Sequence, residues 1–292
     1  MLKRINWKGI LYGFLWTVCL ASVVVLMSFI EVKKASVTCK DVRIIIPGNQ
    51  NFVERSEIDN ILLTAAGPLV GKPLNQINIH QLETALKANP FIEFAKVYGD
   101  MNGVIHVKVK QREPVLRIFN IADQDFYIDR NGMKIPTAAS FTANVLAANG
   151  QITESFNNTV DTLRSKLAKD LFSTALYIER DTLWRDQIEQ IYVNNEREIE
   201  LVPRVGNHKI ILGTADSLES KFLNLLMFYK KALPVAGWDA YKTINLKYAN
   251  QIVCVKNAET ENAGANTVKV ATKPVKTDSA TIKLTTQDTV KN

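Results

Sequence analysis

The stretch Asn89-Pro-Phe-Ile-Glu-Phe-Ala-Lys-Val-Tyr98, then Gly99-Asp-Met-Asn-Gly103, then Val104-Ile-His-Val-Lys-Val-Lys110 decides the fold of the first half of the chain. Apolar and polar residues alternate over Ile92–Tyr98 and Val104–Lys110, the period of half-buried strands, and the glycine-bounded Asp/Asn turn between them makes the pair a hairpin. Upstream the period changes. Asn78 to Ala88 carries Ile79, Leu82 and Leu86 at helical spacing and stops at Asn89-Pro90, while Ser56 to Ala66 carries Ile58, Ile61, Leu62 and Ala65, with Ser56 as a plausible N-cap and Gly67-Pro68 as the stop. Val42-Arg-Ile-Ile-Ile46, closed by Pro47-Gly48, reads as a first strand. The order is strand, helix, helix, strand, strand. Two helices on one face of a small sheet bury the Ile/Leu stripes and leave the sheet edge open.

Downstream, with no linker, hairpin signals return: Val115–Asn120, Asp125–Ile128 and Met133–Ile135 around Asp129-Arg-Asn-Gly132, then Phe141–Leu146. A charged helical stretch runs through Leu163, Leu167, Leu171 and Ala175. Strands are expected at Gln187–Val193, Glu198–Val202 and Lys209–Leu212, and a helix at Leu218 to Leu233 with Phe222, Leu225 and Tyr229 on one face. Thr243–Tyr248 and Gln251–Val255 close the ordered chain. The fold class is α+β, the second domain a mixed α/β unit on an antiparallel sheet. After Lys256 the composition turns to Thr, Lys, Ala, Asn and Asp without an aromatic residue, so 257–292 is expected to be a disordered tail.

At the other end, residues 9–30 carry no charged side chain, and a helix over them is about 33 Å long, enough for a hydrocarbon core of about 30 Å. Trp7, Tyr12 and Trp16 and the cations Lys3, Arg4 and Lys8 sit where interface anchors belong. The apolar run exceeds a signal-peptide core, which predicts an uncleaved single transmembrane helix with a short cytoplasmic tail, 1–8, before it. Cys19, Cys39 and Cys254 are too few and too scattered for a disulfide framework.

The composition, 47% hydrophobic and 22% charged, suffices for a buried core. The net charge of +7 is spread along the chain without basic blocks or interleaved aromatics, which argues against nucleic-acid binding. His80, His106 and His208 are scattered, and no HExxH pair, phosphate loop or GxSxG elbow occurs. Asp123, Asp125, Asp129 and Asn131 miss the EF-hand spacing, and Asp129-x-Asn-Gly is tight-turn chemistry. The expectation is therefore no catalytic, cofactor or metal site.

Function is expected at an open strand edge. On Thr243–Tyr248, Ile244, Leu246 and Tyr248 share one face and Thr243, Asn245 and Lys247 the other, as in a strand with one face on the core and one wet. If the last strand of the chain is unpaired, its main chain can bond a strand from a partner. The candidate partner-binding residues are Ile244, Leu246, Lys247, Tyr248, Asn250, Gln251, Ile252 and Val253. The pattern is served equally well by Tyr248 and Ile252 as core residues.

Residues 38–113, with Asn89-Pro-Phe-Ile-Glu-Phe-Ala-Lys-Val97 leading into the hairpin and Gln111-Arg-Glu-Pro114 closing it, resemble a POTRA domain, a protein-docking module. With Arg112-Glu-Pro-Val115, Phe126-Tyr-Ile-Asp-Arg-Asn-Gly132 and Ile244-Asn-Leu-Lys-Tyr248 following in order, the chain is similar to the FtsQ/DivIB family of bacterial cell-division proteins. Asn245 and Lys247 stand where that family has an acid and an arginine, and its loop glycine is replaced near Asn250-Gln251. The resemblance implies a POTRA domain at 38–113, an FtsQ-type β-domain at 114–256 and a non-catalytic, bitopic divisome scaffold of the inner membrane and division septum. Its outer domains would dock FtsB/FtsL-type partners and help coordinate septal cell-wall synthesis. Two rival readings fit the chain less well. A POTRA-bearing translocation or envelope-assembly factor needs a barrel for which too few residues follow, and a membrane-anchored cell-wall hydrolase needs a nucleophile or metal constellation.

Overall fold

The computed structural model describes residues 7–48, 51–248, 251–257 and 280–283. The chain divides into two units, Met1–Gln111 and Arg112–Asn292. Residues 1–6 of the expected cytoplasmic tail lie outside the described residues. The apolar N-terminal stretch folds into a helix, α1 (Trp7–Ser36). The single transmembrane helix expected over 9–30 nevertheless has to be corrected. Among the described residues no helix is long and apolar enough to cross a membrane.

The rest of the first unit follows the alternation that opens this account. Strand β1 (Asp41–Ile45) is followed by α2 (Arg55–Ala66), a 3-10 turn at Leu74–Gln76, α3 (Ile79–Lys87), β2 (Ile92–Gly99) and β3 (Val104–Gln111). The sheet order is β1-β3-β2, with β2–β3 an antiparallel hairpin and β1 parallel to β3. Ile58 and Leu62 of α2 and Leu82 and Leu86 of α3 are buried, as are Ala95, Val97, Ile105, Val107 and Val109 on the inner face of the hairpin. Asn78 caps α3, its side chain accepting from the Gln81 N–H at 3.1 Å. The expected Ser56 cap is displaced. Glu54 holds the N-cap position of α2 without a side-chain cap bond, and Ser56 lies inside the first turn.

In the second unit, β4 (Pro114–Phe119), β5 (Asp125–Asp129), β6 (Met133–Pro136), β7 (Leu146–Gly150) and β8 (Asp161–Thr162) precede α4 (Lys166–Arg180) and α5 (Thr182–Gln187). Then come β9 (Ile188–Val193), β10 (Ile199–Pro203), β11 (Lys209–Gly213), α6 (Leu218–Lys231), α7 (Leu233–Ala236), β12 (Tyr241–Asn245), β13 (Gln251–Lys256) and β14 (Ala280–Lys283). They form one sheet in the order β14-β13-β12-β11-β10-β9-β7-β4-β5-β6-β8. It is mixed rather than antiparallel: β4–β7, β7–β9 and β11–β12 pair in parallel. Parallel neighbours need a crossover, and α4–α5 supply one from β7 to β9 while α6–α7 supply another from β11 to β12. The helices meet over the core, with Tyr177 of α4 stacked on Phe222 of α6 at 4.6 Å and Trp184 of α5 edge-on to the same ring at 5.1 Å.

Within the disordered tail expected over 257–292, residues 280–283 instead form β14, which pairs antiparallel with β13. Four residues that include the β-branched Thr281 and Ile282 need little hydrophobicity of their own when an existing strand edge templates them. Residues 258–279 and 284–292 of that expectation lie outside the described residues.

Candidate functional site

The β12–β13 hairpin is built from opposite demands on its two faces. Thr243↔Val255, Ile244↔Cys254 and Asn245↔Val253 are opposite one another, and on the parallel side Ile244 faces Ile210 of β11. Ile244, Leu246, Ile252 and Cys254 are buried and belong to the main core, with Tyr241 edge-on to Phe228 of α6 at 5.2 Å. Burial pushes the Cys254 thiol up to about 12, so at neutral pH it packs as a hydrophobe and is no nucleophile. The other face is wet. Thr243, Asn245, Gln251 and Val253 are half-buried, and Val255 is 51% exposed.

The alternative left open by the pattern now divides between its two residues. Ile252, at 1% exposure, is core, whereas Tyr248, at 47%, is surface. Ile244 and Leu246 are likewise core, so they can serve an incoming strand only by holding the backbone in place. Gln251, Val253, Lys247 and Tyr248 retain accessible side chains, and Asn250 lies outside the described residues.

The connecting loop is tied down by short bonds. The Leu246 N–H donates to the Ile211 carbonyl at 2.8 Å, the Lys247 N–H to Asn245 Oδ1 at 3.0 Å, and Lys247 Nζ to Glu198 Oε1 at 2.8 Å. That hydrogen bond holds the Lys247 ammonium above its ordinary pKa; burial opposes it, and the charge of Glu198 adds a lesser increase. The Lys247 stem crosses Gly213, whose φ is +79°, and a Cβ there would come within 2.8 Å of Lys247 Cγ, so the position requires glycine for both conformation and space. Glu198 and Gly213 carry no local sequence signal of this role, because Glu198 sits in the β9–β10 connection and Gly213 at the end of β11. Val255 was legible as the next residue on the wet face of Val253.

β13 is bonded on both sides, to β12 and to β14, and the β13–β14 register is Gln251↔Lys283, Ile252↔Ile282, Val253↔Thr281 and Cys254↔Ala280. This end of the sheet presents strand-on-strand main-chain pairing, with Val253 half-buried and Val255 and Tyr248 exposed. Among the described residues no group of three or more His, Cys, Asp or Glu could hold a metal ion. The Asp129 carboxylate accepts from the Asn131 and Met133 N–H groups at 2.9 and 2.8 Å and from Arg112 at 2.7 Å, as the tight-turn reading expects.

Comparison with known families separates the two units. Residues 37–110 match the model of a POTRA-like domain, and residues 113–255 match that of the FtsQ/DivIB C-terminal related domain. No curated protein matches the chain significantly. A POTRA-like domain leading directly into an FtsQ/DivIB C-terminal related domain that ends on the β12–β13 hairpin supports the FtsQ/DivIB family of cell-division proteins.

Proposed function

We propose that this protein is a non-catalytic scaffold of the division machinery that docks FtsB/FtsL-type proteins at the division septum by strand addition to the β12–β13 end of its large sheet, and so helps coordinate septal cell-wall synthesis. Family membership supports a division role in general; the FtsQ/DivIB family is one of non-catalytic division scaffolds. The observation that carries the finer reading is the division of labour in the hairpin. Ile244, Leu246, Ile252 and Cys254 fix the strands on the core, while Val253, Val255, Tyr248 and Lys247 keep accessible side chains along the hairpin, whose outer main-chain row pairs with β14 rather than with a core strand. Strand addition draws affinity from main-chain bonds and specificity from alternate side chains, which matches that arrangement.

The test is co-purification with the FtsB- and FtsL-type proteins of the same organism, comparing the parent with Val253→Pro. Proline removes a main-chain donor and is poorly tolerated in a paired strand. Circular dichroism melts identify a variant that stays folded. A folded Val253→Pro protein that binds as the parent does would move the docking surface elsewhere, and a fluorescent fusion spread evenly along dividing cells would remove the division reading itself.

A further inference from the structure

The sheet end proposed to receive a partner strand already carries one from this chain. β14 lies antiparallel on β13 and covers Gln251, Ile252, Val253 and Cys254, which includes three of the residues expected to contact a partner. A strand has one row of N–H and C=O groups on each side, and on β13 the other row belongs to β12. Two strands cannot share what remains. We propose that β14 is a built-in cap: a strand held in cis that closes the β13 edge and has to leave before a strand from another chain can add there.

Three features favour a removable cap over a structural strand. Among the described residues β14 pairs through four positions, whereas β13 is also fixed by β12 and by the buried Ile252 and Cys254, so its position does not depend on β14. Ala280-Thr-Ile-Lys283 stands in a Thr/Lys-rich segment that resembles an extended peptide rather than a core strand. Because the segment is tethered to the edge it covers, it competes at an effective concentration that reaches on the order of mM, enough for a weak strand to exclude a stronger one in trans. Binding of an outside strand is then reduced by the fraction of molecules in which the edge is closed. The consequence for partners rests on the docking reading above, but the cap is testable without them.

The experiment uses the full chain and the double variant Thr281→Pro/Ile282→Pro. Neighbouring residues point their N–H groups to opposite sides of a strand, so the pair removes a β13-facing donor whichever register parity holds. Ala271→Pro/Thr272→Pro controls for proline elsewhere in the tail. The probe is a fluorescent synthetic peptide of residues 278–286, read by anisotropy, with a scrambled peptide beside it. The cap predicts at least tenfold tighter peptide binding to the 281/282 variant than to the parent or the control, with unchanged melting. Equal binding to parent and variant, or no binding to the variant, overturns it. In a second arm the FtsB/FtsL-type pair replaces the peptide, and several-fold tighter binding to the variant adds support. If the peptide discriminates and the pair binds neither protein, the cap stands and the partner assignment falls. If the pair binds both proteins equally and the peptide binds neither, the cap falls and docking survives.

Discussion

The two ends of the eleven-stranded sheet are closed by different chemistry. At the β6–β8 end, Lys134 is buried, and its Nζ donates to Glu154 Oε1 at 3.0 Å and to the Ser155 carbonyl at 2.9 Å, with Asp161 of β8 at 3.7 Å. Glu154 in turn accepts from the Arg164 and Ser165 N–H groups at 3.0 and 2.9 Å. Asn120 and Gln124 tie the same region to the Glu154 and Phe156 backbones. At the β13–β14 end the last contact is strand pairing over four residues, next to exposed Val255 and Tyr248. An end locked by buried charges is built to stay shut, because each group removed strands another without a partner. An end closed by main-chain pairing can exchange one strand for another of different sequence.

That contrast predicts a steep gradient of mutational effects across one sheet. The largest should come from Lys134→Ala, which leaves Glu154 and part of its network buried without the cation. A broken buried pair costs about 3–5 kcal/mol, expected to lower the melting midpoint by roughly 10 °C in scanning calorimetry. A loss of only a degree or two would mean that the network is not what closes this end.

Acid should act on the same end. Burial by itself raises the Glu154 carboxyl, but the main-chain N–H groups of Ser165 and Arg164, with the Ser165 hydroxyl and Lys134, outweigh it and bring it down to about 2 from an ordinary 4.5. The folded state therefore gives up this proton more readily than the unfolded chain. The stabilisation is complete above about pH 4.5 and is lost as pH falls toward about 2. The stability gap between the parent and Glu154→Gln should narrow by on the order of 3 kcal/mol across that window. A gap independent of pH in urea titrations would contradict the assignment.

The smallest effect belongs to the other end. Lys247→Gln removes the bond to Glu198, but this is a partly exposed pair, and such pairs contribute about 0–1 kcal/mol. The melting midpoint should stay within about 2 °C of the parent. The substitution is cleaner than a charge reversal, which would set a second carboxylate against Glu198. A large drop would show that the loop end is locked as firmly as the Lys134 end.

The same contrast explains what could be read from the chain. Local periodicity carried α2, α3, α4, α6 and the β2–β3 and β12–β13 hairpins, since each displays its own apolar face. β7 was misplaced, expected at Phe141–Leu146 and found at Leu146–Gly150, because a parallel interior strand of Ala147, Ala148, Asn149 and Gly150 has no alternation to show. Gly150, with φ +98°, packs so close to Val193 that a Cβ would fall on its carbonyl. The short α5 was missed because six residues leave no period to detect. Lys134 and Glu154, twenty positions apart, carry no local signal of their pairing, which the sheet brings about. β14 could not be anticipated from composition, because its partner edge rather than its own sequence makes it a strand. In the candidate site, Lys247 and Tyr248 were legible as surface residues, whereas Glu198 and Gly213 became visible only through the parallel β11–β12 pairing.

The docking proposal requires partners to add to the β13 edge. Amide hydrogen exchange of the Thr281→Pro/Ile282→Pro protein, with and without the FtsB/FtsL-type pair, tests it directly, because strand addition protects main-chain amides where they pair. The prediction is slowed exchange over 251–256, with β1 and β2 of the POTRA-like unit unchanged. Unaltered exchange over 251–256 together with new protection on β1 or β2 would contradict the claim and assign docking to the smaller sheet.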